Sequence, residues 1–119
     1  MWNFDRYAHR NRVFARVFRI FGRLALVREI AVLNVQSGKG EEFEKAYDTV
    51  ASVLNDAEGS HGATLHRGVE EPDSYTLIVE WDSVDDHIAL TGKPEFERFG
   101  AAIGEYLTGQ PEVRHVEPV

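Results

Sequence analysis

HGATLHRGVEEPDSYTLIVEWDSVDDHIAL, residues 61–90, contains the two changes of pattern that decide the fold. Residues 61–69 and 75–82 read as strands, the second rich in β-branched and aromatic side chains. Between them Glu71-Pro72-Asp73-Ser74 has the chemistry of a turn, because Pro presets one backbone angle and Asp and Ser bond back to nearby amides. Strands joined by so short a turn form an antiparallel hairpin. Ser83-Val84-Asp85-Asp86 then resembles a capping box, which opens a short helix through His87, Ile88 and Leu90.

Upstream of this stretch, residues 41–58 place Phe43, Ala46, Tyr47, Val50, Val53, Leu54 and Ala57 at helical spacing, with acids in the first turn where the helix dipole favours them. Residues 27–35 are almost wholly apolar after Glu29 and predict a strand buried on both faces. Downstream, Thr91-Gly92-Lys93 interrupts the short helix and Pro94 suits the first position of a new one. Its buried stripe is Phe96, Phe99, Ile103, Tyr106 and Leu107. Gly109-Gln110-Pro111 stops it, and residues 112–119 alternate as a last strand. The order strand, helix, strand, strand, helix, strand specifies an α+β, ferredoxin-like split βαββαβ fold: a four-stranded antiparallel sheet with its helices on one face. The other face, carrying Val32 and Ile78, needs a cover, which a second copy of the chain would supply.

The chain has 119 residues and 43% apolar content, enough for one domain with a thin core. It lacks cysteine, which removes disulfides, thiolate nucleophiles and Cys-based metal sites, and fits a soluble cytoplasmic protein. No apolar run approaches the roughly 20 residues that cross a bilayer. The net charge of −7 divides sharply: residues 1–26 carry six arginines against one acid, +5, whereas residues 27–119 carry seven basic and nineteen acidic side chains, −12. An acidic domain argues against nucleic acid, whose binding relies on clustered Lys and Arg. Residues 1–26 read as an appended basic amphipathic extension, with Arg12, Arg16, Arg19 and Arg23 on one helix face and Val13, Val17, Ile20, Phe21 and Leu24 on the rest. Three readings stand for it: weak contact of residues 12–26 with an anionic membrane surface, folding onto the acidic domain, or a segment foreign to the natural protein.

Few side chains in residues 27–119 can carry chemistry. Trp81 shares a strand face with Leu77 and Val79, so it is core, with a large surface and one N–H that also suit an aromatic ligand. His87 lies just inside a helix start, where the dipole favours the neutral imidazole, a form able to accept a proton. Its structural alternative is a half-buried histidine bonded to a carboxylate such as Asp86. His115 could join His87 as a metal pair, yet no third ligand is evident, so neither a metal nor a cofactor site is expected. His61 and His66 are an odd five residues apart and fall on opposite strand faces. Tyr47 and Tyr106 lie on inward helix stripes, and Gly38-Lys39-Gly40 lacks the spacing of a phosphate loop and reads as a turn.

Several of these segments together resemble the antibiotic biosynthesis monooxygenase family. They are Ala31-Val32-Leu33-Asn34-Val35 with Gly38-Lys39-Gly40, His61-Gly62, Glu80-Trp81-Asp82-Ser83 leading to Asp86-His87, Lys93-Pro94-Glu95-Phe96 and Val113-Arg114-His115. The resemblance implies a homodimeric α/β barrel with a pocket between each subunit's helices and sheet. One branch of the family degrades haem, but the positions matching its Asn, Trp and His are Ala31, Leu90 and Phe99, all without a ligand atom. Another branch oxidises aromatic or quinol-like compounds with O₂ and no cofactor. Its strand-ending Trp matches Trp81, its Tyr six positions later matches His87, and an Asn of some members matches Leu77. The resemblance thus implies Trp81 and His87 as catalytic residues, and Leu77, Leu90, Phe99, Tyr47 and His115 as the wall of a pocket for a small aromatic ligand. The competing expectation is a dimeric module that binds a small apolar metabolite without turning it over.

Overall fold

The computed structural model describes residues 26–119. Seven elements follow in order: β1 (Val27–Asn34), α1 (Gly40–Asn55), β2 (Ser60–Arg67), β3 (Ser74–Trp81), α2 (Val84–Thr91), α3 (Pro94–Gly104) and β4 (Glu112–Val116). The strands form one antiparallel sheet in the order β2-β3-β1-β4, so the first strand is central and the last lies beside it at an edge. This is the expected ferredoxin-like α+β arrangement, with the second helical unit divided into α2 and α3 around Gly92 and Lys93. Among the described residues no helix is long and apolar enough to cross a membrane. The basic stretch in residues 1–25, and any membrane contact made through it, lies outside the described residues.

Register explains which side chains enter the core. Val27, Glu29, Ala31 and Leu33 point toward the helices from β1, and their partners Trp81, Val79, Leu77 and Tyr75 do so from β3. Val113 and His115 extend the same face onto β4. Phe43, Tyr47 and Leu54 from α1 and Phe96, Phe99 and Ile103 from α3 close over it, as their helical spacing predicts. The opposite face keeps Ile30, Val32 and Ile78 half-buried between exposed Arg28, Asn34, Thr64 and Arg114. The expectation that β1 is buried on both faces is therefore corrected within one chain, because all three helices lie on one side.

Three of the boundary shifts have local reasons. Helix α1 stops at Asn55 rather than residue 58, and the chain turns through Gly59 at φ +84°, a conformation that glycine adopts without a Cβ penalty. Helix α3 stops at Gly104, since Leu107 bridges Val35 and the Tyr106 carbonyl accepts from the Gln36 amide, tying this turn to the end of β1. Strand β4 ends at Val116, whose partner Arg28 is already next to the first residue of β1. The capping box is present: Ser83 Oγ accepts from the Asp86 amide and donates to Asp86 Oδ2 (3.0 Å).

Candidate functional site

Four polar side chains meet inside this apolar core. Glu29 of β1 lies between Val79 and His115 in the sheet, and only 1% of it is exposed. Trp81 Nε1–H donates to Glu29 Oε1 across 3.0 Å. His87, from the first turn of α2, stacks on the Trp81 indole with ring centres 5.3 Å apart and 13° between planes. Its Nε2 lies 3.3 Å from the same Glu29 oxygen. His87 Nδ1 is 2.8 Å from His115 Nε2, so one of these nitrogens donates to the other and the contacts run Trp81, Glu29, His87, His115.

Burial sets the charge of each member. It pushes the Glu29 carboxyl up to about 7, against the downward pull of the Trp81 hydrogen bond. It also holds His87 well below its usual value, with His115 adding to the effect, and brings His115 down to about 4. Both imidazoles are neutral near pH 7, while Glu29 divides between its acid and its anion. The neutrality expected of His87 is therefore found with a different cause, since desolvation dominates rather than the helix dipole. Glu29 is a carboxylate beside it, and Asp86 serves the helix cap.

The other expected residues fall in the same continuous core. Leu77 and Phe99 are fully buried, Leu90 nearly so, and Tyr47 packs edge-on against Phe99 at 6.3 Å. The Tyr47 hydroxyl is buried without a hydrogen-bond partner among the described residues. Burial raises its pKa, with nearby Asp48 and Glu29 adding to the shift. Tyr106 is half-buried at the rim of the core. His61 and His66 stand apart on β2, one on Asp82 Oδ1 at 2.6 Å and the other on Thr64 Oγ1 at 2.9 Å. No group of three or more candidate metal ligands occurs among the described residues.

Two features are absent from the sequence reading. Glu29 is one; its signal is an acid at the even spacing of Val27, Ala31 and Leu33, which aims it inward. The second is a cleft of about 380 Å³ lined by Glu44, Tyr47, Asp48, Leu65, Arg67 and Tyr75. Here Arg67 and the Tyr75 hydroxyl both donate to Glu44 Oε2, which holds the Glu44 carboxyl below its usual range. Gly40 makes room for this, because a Cβ there would lie 2.8 Å from the Tyr75 oxygen.

The sequence profile of the antibiotic biosynthesis monooxygenase family matches residues 26–102. The chain belongs to this family. It is 32% identical over 95 residues to the uncharacterized protein YczJ of Bacillus subtilis, covering 79% of this chain and all of that one. Among solved structures it is similar to a candidate antibiotic biosynthesis monooxygenase from Bordetella bronchiseptica, with 33% identity, a TM-score of 0.77, and coverage of 80% of this chain and 98% of that one. A second such candidate, from Caulobacter crescentus, shows 28% identity and a TM-score of 0.69, over 81% and 92% of the two chains. Glu29, Tyr47, Trp81 and His87 all lie within the matched residues. His115 lies beyond the match.

Proposed function

We propose that the protein is a cytoplasmic, homodimeric monooxygenase that oxidises a small hydroxyaromatic or quinol-like compound with O₂, without a cofactor. The observation that supports this reading best is the polar cluster of Glu29, Trp81, His87 and His115, with the Tyr47 hydroxyl, unpartnered among the described residues, in the same otherwise apolar core, in a chain of the antibiotic biosynthesis monooxygenase family. An electron-rich aromatic ring fits against Trp81 and Phe99. Loss of one proton makes the substrate an anion that reduces O₂ itself. For a ring CH₂ of the anthrone type, the carbanion passes one electron to O₂, and the radical and superoxide combine to form a C–O bond. The resulting peroxide anion takes back a proton to become the hydroperoxide, and a base then removes the second C–H proton as the O–O bond breaks and hydroxide leaves, which that proton converts to water. One oxygen becomes the ketone and the other leaves as water, so each O₂ takes four electrons from one carbon.

Trp81 and Phe99 are covered in the closed structure, so a substrate enters when a helix moves. Helix α2 packs least extensively of the three and is joined to α3 through Gly92, which makes it the natural door. The test is O₂ uptake by the purified full chain with a panel of quinols and hydroxyanthrones under ¹⁸O₂. One labelled ketone oxygen per O₂ consumed is expected. Tight binding of a panel member with no uptake would replace this reading by that of a non-catalytic apolar-ligand module.

A further inference from the structure

We propose that Glu29 is the catalytic proton carrier of this site, taking the substrate's first proton, returning it to the peroxide anion, and then passing the second C–H proton to the hydroxide that leaves as the O–O bond breaks, and that Tyr47 donates to the oxyanion that exists while Glu29 holds the first proton. The inference deepens the monooxygenase reading and rests on it for the identity of the substrate. It begins with an asymmetry in the carboxyl group. Among the described residues, the polar contacts of Glu29 fall on Oε1, which receives the Trp81 N–H at 3.0 Å and faces His87 Nε2 at 3.3 Å. Oε2 takes part in neither of these contacts. In the same core the Tyr47 hydroxyl is buried without a hydrogen-bond partner among the described residues, and the charge on Glu29 reaches it. A buried hydroxyl without a partner costs stability, and an incoming oxyanion would recover that cost.

The chemistry requires a group that holds a proton for part of the cycle and neither loses it to water nor keeps it. Conversion of CH₂ and O₂ to C=O and H₂O releases no net proton, so one carboxyl can carry the first proton to the peroxide anion and the second to the departing hydroxide and end in its starting state. His87 is poorly suited to store it, because a cation there would be buried beside a second imidazole. A carboxyl brought up to about 7 is suited to both steps near neutral pH. The groups facing it are Trp81 from β3, His87 from α2, His115 from β4 and Tyr47 from α1; α3 presents the apolar Phe96, Phe99 and Ile103. Neither histidine is charged near pH 7, so the Glu29 anion has no cation beside it to fix its proton state.

The decisive measurement needs no substrate. In the ¹⁵N-labelled full chain, the Trp81 indole N–H resonance, assigned with a Trp2→Phe variant, reports its acceptor directly. It should shift between pH 5 and 9 with a midpoint near 7, and Glu29→Gln should abolish the shift. An indole that does not titrate, or titrates equally in Glu29→Gln, overturns the proposal. With a hydroxyanthrone that the wild type turns over, Glu29→Gln should lower kcat about a hundredfold or more with KM little changed, and Glu29→Asp should restore part of the rate. Tyr47→Phe should lower kcat about tenfold or more while leaving the indole titration in place. Full turnover by Glu29→Gln also overturns the proposal. A hydroxyanthrone that binds without O₂ uptake sinks the monooxygenase reading instead, and the indole titration then decides alone whether Glu29 holds the proton.

Discussion

Glu29 is ionisable but almost sealed from water, which ties folding to pH. Its carboxyl titrates at about 7 in the folded protein against an ordinary 4.5, so the folded state binds the proton more tightly than the unfolded chain. The stability this contributes is fully present below pH 4.5 and is lost as pH rises to about 7, at most about 3 kcal/mol for a shift of this size. His115 and His87 act with the opposite sign. Their folded values are depressed, so the stability they contribute is present above 6.5 and is lost as pH falls toward 4 and below. Thermal unfolding from pH 4.5 to 8 should therefore find Glu29→Gln close to the wild type at pH 4.5 and higher melting than it above pH 7. A constant difference across that range would show that Glu29 does not titrate in the fold. Tyr47→Phe should leave the melting temperature unchanged or raise it slightly, since the hydroxyl it removes lacks a partner among the described residues.

At the scale of elements, His87 is held where it is by the start of α2. Ser83 caps the helix through the Asp86 amide, and Asp86 in turn presses on Gly59, where an added Cβ would lie 2.4 Å from the Asp86 Cγ. Ser83→Ala should cost about 1 kcal/mol for the lost cap, measured by urea unfolding. Gly59→Ala should cost more, about 1–3 kcal/mol, because it adds strain at positive φ to that clash. Loss of the stacked His87 ring from Trp81 should accompany it as a change in near-ultraviolet circular dichroism. The same elements show what the sequence makes legible. The hairpin, the capping box and the stripes of α1 and α3 follow from local spacing and turn chemistry, and the structure contains each of them. Trp81 is legible as core because it alternates with Leu77 and Val79. The place of Glu29 beside His87 and His115 is not, because it depends on the register of β4 against β1, which sets Glu29 opposite His115 and which no local pattern encodes. An acid at the start of an apolar run also reads as a strand end until the register turns it inward.

For the whole molecule, the sheet is covered on one face and half-open on the other. Ile30, Val32 and Ile78 form the apolar centre of the open face, and a second copy placed there would complete the proposed barrel. Ile78→Lys should convert a dimer into monomers in light scattering at micromolar concentration, with the melting temperature falling as the partner's burial is lost. A wild-type chain that is monomeric under those conditions would rule the barrel out. The family match begins at residue 26, so a chain lacking residues 1–25 should fold and associate like the full chain; aggregation would show that the segment packs on the domain. The central place of β1 has a further consequence for manufacture. Among the strands of the described residues a ribosome releases this one first, yet one of its two neighbours is the last of the four. Until residue 116 has emerged, the nascent sheet keeps an open edge of unpaired backbone N–H and C=O groups along β1 that any other strand can join. Slow synthesis of residues 105–116 should therefore lower the soluble yield even when the finished protein is as stable as before.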